Sequence, residues 1–213
     1  MKKGKERNAK QRKAEADRLY WKGVEISQAS EDLTWEKCQT EAAKWYRKAA
    51  ELGHAEAQYH LGQYFKFRRE PGAREKAEKW LRKAAEQGHC EAQYQLGWML
   101  ETRRGTADAA EAAAWYRKAA KKGNREAICA LAGLYEVGHG VRQSYKLALK
   151  WYLKAAEEYD YCDAQYHLGL LYQFGDGVEQ SDVVAAKWFR AAAEAGDECA
   201  IRELELMGEE VPD

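Results

Sequence analysis

The chain has 213 residues, 46% of them hydrophobic and 12% aromatic, enough apolar mass for a packed core and too much for a disordered chain. Lys plus Arg and Asp plus Glu number 35 each, so no net field draws the protein to nucleic acid or an anionic membrane. No window approaches the roughly 18 uncharged apolar residues of a membrane span, and the basic start has no apolar stretch after it to make an export signal. The expected compartment is the cytoplasm.

Residues 1–13 (MKKGKERNAKQRK) set seven basic side chains against Glu6 and are expected to be a disordered basic tail. Tyr20 and Gly23 then look like the end of a first helix. Residues 24–34 look like an insertion, because Trp45 follows Tyr20 by 25 positions where the later repeats have 15 or 16.

From there one pattern returns. Trp45, Trp80, Trp115, Trp151 and Trp188 are separated by 35, 35, 36 and 37 positions, the period of a two-helix unit. Around them Ala42, Trp45, Tyr46, Ala49 and Ala50 become Ala112, Trp115, Tyr116, Ala119 and Ala120. The offsets i, i+3, i+4, i+7, i+8 place an apolar stripe on one helix face. These tryptophan helices close at Gly53, Gly88, Gly123 and Gly196, where a left-handed residue ends a helix at little steric cost. Tyr159 stands in place of the closing glycine in the fourth copy.

Each is followed by a second helix type: Ala57, Leu61, Gly62, Phe65; then Ala92, Leu96, Gly97, Leu100; then Ala127, Leu131, Ala132, Tyr135; then Ala164, Leu168, Gly169, Tyr172. The small residue beside each leucine predicts a place where two helices approach closely. Loops at 66–72 and 101–105 are shorter than those at Gly138 and Gly175. The last leucine helix keeps Ala200 and Leu204 but turns polar, and residues 194–213 hold eight acidic side chains against Arg202.

Neither helix type buries its stripe alone, so stacking of neighbours is required. The expected fold is all-α, a superhelical solenoid of about five stacked two-helix repeats over residues 14–207, with 208–213 an acidic tail. The wording A-x-x-W-Y-x-K-A-A-x-x-G followed by A-x-x-x-L-G-x-x-Y resembles the Sel-1-like repeat family, relatives of the tetratricopeptide repeats. The likeness extends over about residues 12–207, and GLLYQFGDGVEQSDVVAAKWFRAAAEAG from Gly169 matches the family pattern with its Gly-x-Gly-Val turn.

The resemblance implies a monomeric scaffold or adaptor that holds a peptide or helix of an unidentified protein on a concave wall, without nucleic acid or membrane. By analogy with tetratricopeptide repeats, that wall takes the third, seventh, tenth and eleventh residues of each leucine helix. These are Tyr59, Gln63, Lys66, Phe67; Tyr94, Trp98, Glu101, Thr102; Cys129, Gly133, Glu136, Val137; and Tyr166, Leu170, Gln173, Phe174. Trp98 is the expected anchor, because Gln63, Gly133 and Leu170 hold its place elsewhere and the repeat does not demand an indole there; the bland alternative is a core residue. Tyr59, Tyr94, Glu101, Glu136, Tyr166 and Leu170 are further expected contacts. Arg68, Arg69, Arg103 and Arg104 are expected to form a basic edge for an acidic partner.

Catalytic signals are weak. His54-Ala55-Glu56 and His89-Cys90-Glu91 fit H-x-E, but zinc deaminases also need P-C-x-x-C, and the two prolines are Pro71 and Pro212. Gly175-Asp176-Gly177 lacks the Gly-Lys-Ser/Thr of a phosphate loop. Cys38, Cys90, Cys129, Cys162 and Cys199 have spacings of 52, 39, 33 and 37, unlike any zinc pattern, and read as reduced, mostly buried thiols. No metal, cofactor or enzyme activity is expected. The alternative is a β-lactam-binding protein or small hydrolase similar to secreted cysteine-rich relatives.

Overall fold

The computed structural model describes residues 2–28, 34–103 and 105–212, with side chains from residue 8 on and at all but residue 106 of the rest. These residues form eleven helices and no strand: α1 (Lys2–Gln28), α2 (Trp35–Glu51), α3 (Ala55–Lys66), α4 (Ala73–Glu86), α5 (Cys90–Glu101), α6 (Thr106–Ala120), α7 (Arg125–Val137), α8 (Tyr145–Tyr159), α9 (Cys162–Phe174), α10 (Asp182–Glu194) and α11 (Glu198–Met207). Leucine helices carry odd numbers and tryptophan helices even ones. The chain is an all-α solenoid of about five two-helix repeats, divided into two compact units, residues 1–96 and 97–213. In the first, α1 packs on α2, α2 on α3 and α3 on α4; in the second, each helix from α6 to α11 packs on the next.

The stripe that repeats in the sequence divides its labour. The residue after each tryptophan, Tyr46, Leu81, Tyr116, Tyr152 and Phe189, is buried, whereas of the tryptophans Trp115 is buried and the other four lie at the margin. A lysine one turn on covers the outer indole face, at 4.4 Å for Lys48 on Trp45, 4.5 Å for Lys83 on Trp80 and 3.7 Å for Lys118 on Trp115. Burial of the ring beside it is what requires the small residue of the leucine helix. A Cβ on Gly62 would lie 2.7 Å from Leu81, on Gly97 2.6 Å from the Tyr116 ring, and on Gly169 2.3 Å from the Phe189 ring.

Gly23 meets the Tyr46 ring in the same way, at 2.7 Å. That contact sets the register of α1 and corrects the expected one: Tyr20 is the counterpart of Tyr59, three positions before the glycine, not the last residue of its helix. Gly23 to Tyr46 is 23 positions, where Gly62 to Leu81 and Gly97 to Tyr116 are 19. The extra length is therefore four residues. Of the expected insertion, residues 24–28 continue α1, Thr34 precedes α2, and 29–33 lie outside the described residues. Residues 2–13, expected as a tail, are the first turns of α1; they are mostly Lys, Arg, Gln and Glu, which give up little rotamer freedom in a helix.

Two turns share the wording G-x-G-V-x-Q-S. Gly138 and Gly140, and Gly175 and Gly177, all have φ between 72° and 75°. Gln143 and Gln180 each donate to a carbonyl of the preceding helix at 2.9 Å, and Ser144 and Ser181 cap α8 and α10 by accepting from Leu147 and Val184 N–H. In the fourth copy the left-handed closing residue is Asp160, with φ 46°, and not the expected Tyr159, which is the last residue of α8; the Asp160 carboxylate accepts from the buried Gln165 amide at 2.6 Å.

Candidate functional site

A cavity of about 390 Å³ opens in the first unit between the end of α1, the start of α2 and the outer half of α3. Its walls are Tyr46, His60, Tyr64 and Gln63, and its rim is Trp35 and Phe67, which are 74% and 76% exposed. Tyr64 marks the place as unusual. Counting from the small residue that follows the leucine, its counterparts in α5, α7 and α9 are Met99, Leu134 and Leu171, all buried core residues, whereas Tyr64 is half-buried and faces the opening.

Arg68 closes one side. Its guanidinium lies 4.6 Å from the Tyr64 ring centroid, pairs with Glu36 at 2.9 Å and donates to Thr40 Oγ1 at 2.9 Å. The one cation among the described residues of the cavity is therefore matched by a carboxylate, and what these residues offer a ligand is chiefly aromatic surface. Volumes of roughly 300–1,000 Å³ with apolar walls and a few polar groups are typical of binding pockets.

A ladder of aromatic rings lies behind the cavity. Tyr20 stacks on His54 at 4.4 Å, Tyr46 on His60 at 5.0 Å and Tyr59 on His89 at 4.6 Å. His54 Nδ1 accepts from Ala57 N–H at 3.2 Å and His89 Nδ1 from Ala92 N–H at 3.1 Å, so the two histidines cap α3 and α5. That role fixes the neutral tautomer with its proton on Nε2, directed at Asp17 (3.4 Å) from His54 and at Glu56 (2.9 Å) from His89. The H-x-E pairs thus serve as helix caps. Burial lowers the pKa of His54 and His60 below the usual 6.5, against the pull of Asp17 and Glu56.

The residues expected to contact a partner are spread over both units. Tyr59 is half-buried against His89, with its hydroxyl accepting from Gln63. Tyr94 is half-buried in α5, and Tyr166 and Leu170 pack on the α10–α11 core. Glu101 and Glu136 accept from the hydroxyls of Tyr116 and Tyr152 at 2.6 and 2.7 Å; Ser27 has the same place beneath Tyr46 at 3.3 Å. Trp98 is 42% exposed on α5. Arg68 belongs to the cavity, Arg69 is exposed, Arg103 is half-buried and Arg104 lies outside the described residues.

Cysteine placement corrects the expected burial. All five are free thiols, but only Cys38 is buried, three are half-buried and Cys199 is exposed. Burial pushes the Cys129 thiol up to about 12, the opposite of what a nucleophile requires. Cys162, Asp163 and Asp197 bring their ligand atoms within 4.8 Å of one another. Asp197 is committed to capping α11, accepting from Ala200 N–H at 2.8 Å. No described helix is long and apolar enough to cross a membrane.

The Sel1 repeat family matches residues 125–160 and 162–197, and the plant tetratrico peptide repeats match 28–129. A protective antigen present in uropathogenic Escherichia coli strains, displaying an SLR fold, aligns with a TM-score of 0.78 at 31% identity over 90% of this chain and 41% of that chain. This chain therefore spans less than half the antigen's length. A Sel1 repeat protein from Oxalobacter formigenes aligns with a TM-score of 0.71 at 27% identity, over 90% of this chain and 78% of that one. An immunity protein from Pseudomonas aeruginosa, at 24% identity and a TM-score of 0.52 over 88% of this chain and 68% of its own, shares the fold. Curated proteins gave no match. The recurrent motif, the alternation of leucine and tryptophan helices and these likenesses agree: residues 125–160 and 162–197 are Sel1 repeats, and the fold is that of the Sel1-like repeat proteins.

Proposed function

We propose that the protein is an interaction scaffold whose first unit holds a segment of a partner protein, with the aromatic cavity taking one large apolar side chain of that segment. One observation carries the reading: Tyr64 stands where α5, α7 and α9 bury Met99, Leu134 and Leu171, and it faces a cavity rimmed by the exposed Trp35 and Phe67. Exposed rings at the mouth of a concave site are typical anchors, because aromatic side chains bring a large contact area at low entropic cost. Trp98 is a second proposed contact, on α5.

A library of displayed random peptides, panned on the intact chain and on a Tyr64→Ala/Phe67→Ala variant, tests this. Enrichment of aromatic-containing peptides on the native chain alone supports the cavity; equal enrichment on both rejects it. The β-lactam alternative draws no support from the geometry, since no two cysteines are joined in a disulfide and Cys129 is held protonated. Turnover of a chromogenic β-lactam by the purified protein would revive it.

A further inference from the structure

The second unit contains a different opening, of about 600 Å³, where α6, the end of α7 and the turn before α8 meet. Two arginines line it. Arg117 reaches across from α6 and donates to the Tyr135 hydroxyl at 3.1 Å, and Arg142 stands exposed in the turn. Neither makes an ion pair among the described residues, and no carboxylate lines the opening.

The repeat supplies its own control. One copy further on, the G-x-G-V-x-Q-S turn keeps the glutamine and serine, with the same two hydrogen bonds, but Arg117 becomes Leu153 and Arg142 becomes Glu179. The fold is therefore indifferent to charge at both places. At the same position in other copies Arg82 pairs with Glu78 at 3.1 Å and Arg190 with Glu209 at 3.0 Å, whereas Arg47 lies over the Phe65 ring, 5.9 Å from its centroid. Among the described residues that line this opening, two guanidinium groups stand together with no carboxylate beside them.

We infer that this opening is a binding site for a carboxylate borne on an aliphatic chain, as at the end of a peptide. Two planar forks suit bidentate capture of an oxyanion, and Val141 and the partly exposed Leu147 give the carbon chain an apolar wall beside them. Phosphate fits less well. Phosphate sites draw on free backbone N–H groups at a helix start, and here the Leu147 and Ala148 N–H groups are already taken by Ser144. The inference is independent of the aromatic cavity.

Titration of the intact protein with N-acetyl-leucine, followed through the arginine Nε–H resonances by NMR, tests it. The expected result is a saturable shift at Arg117 and Arg142, absent with N-acetyl-leucinamide and weaker by about tenfold in apparent affinity with inorganic phosphate. Arg142→Glu, which installs the residue of the next copy in an exposed turn, should abolish saturation at an unchanged melting temperature, and Arg117→Leu should weaken it. A missing or unsaturable shift, equal response to the leucinamide, tighter binding of phosphate, or full binding by Arg142→Glu would each overturn the assignment.

Discussion

Tyr116 and Trp80 show how adjacent positions in one motif take opposite roles. Tyr116 is fully buried over Gly97 with its hydroxyl on Glu101, while Trp80 sits at the margin beneath Lys83. Truncating a buried large aromatic costs about 3–5 kcal/mol. Tyr116→Ala should therefore lower stability by about that much and Trp80→Ala by about half, as read by denaturant titration; equal losses would mean that the tryptophans share the core after all. The histidine caps add a dependence on pH. His54 is neutral in the fold, facing Asp17, Glu56 and Lys13, and its pKa is lowered from 6.5 chiefly by burial; His60, facing Glu56 and His89, is lowered for the same reason. The unfolded chain takes up these protons first, so their contribution to stability is complete above pH 6.5 and is lost as pH falls through the depressed values. His54→Asn, the residue type that caps α7 as Asn124, keeps an acceptor without a charge to gain. Melts between pH 7.5 and 5, as approximate limits set by the ordinary histidine range, should fall less steeply in this variant; an equal slope would remove His54 from the account.

At the scale of the element, the turns are where small residues matter most and where they differ most. Gly140 has φ 72°, and a Cβ there would lie 2.3 Å from the backbone carbonyl carbon of Ala109 in α6. Gly53 has φ 98° but open space around it. Gly140→Ala should cost about 3 kcal/mol, conformation and overlap together, and Gly53→Ala about 1 kcal/mol from conformation alone. Similar losses in chemical denaturation would show that the turn relaxes around the added methyl. The elements were largely legible in advance because an apolar stripe at helical spacing, a closing glycine and a fixed period are local signals. The register of α1 was not: Lys22 occupies the place of the leucine before Gly23, so the motif is incomplete there, and the contact of Gly23 with Tyr46 fixes the helix.

Over the whole molecule, periodicity identifies what the fold needs and passes over what a site needs. The repeat points to Tyr59, Tyr94 and Tyr166, and these are half-buried. The cavity is built instead from departures: Tyr64 in place of a buried aliphatic residue, Trp35 at the start of α2, and Arg68 held by Glu36 from another helix. Arg68 recurs as Arg103 and was singled out with it, but Tyr64 and Trp35 do not stand out by recurrence, and the convergence of the three depends on how α1, α2 and α3 pack. Arg117 was hidden for the opposite reason: arginine recurs at its place as Arg47, Arg82 and Arg190, and the meeting of Arg117 with Arg142 shows in the fold alone. The most direct measurement is calorimetric titration of a peptide selected on the native chain into native protein and the Tyr64→Ala/Phe67→Ala variant, with a thermal melt of each. Loss of about 2 kcal/mol or more in binding, roughly thirtyfold in Kd, at a melting temperature shifted by only a few degrees is the predicted result; undiminished affinity in the variant would contradict the claim that the cavity holds the partner.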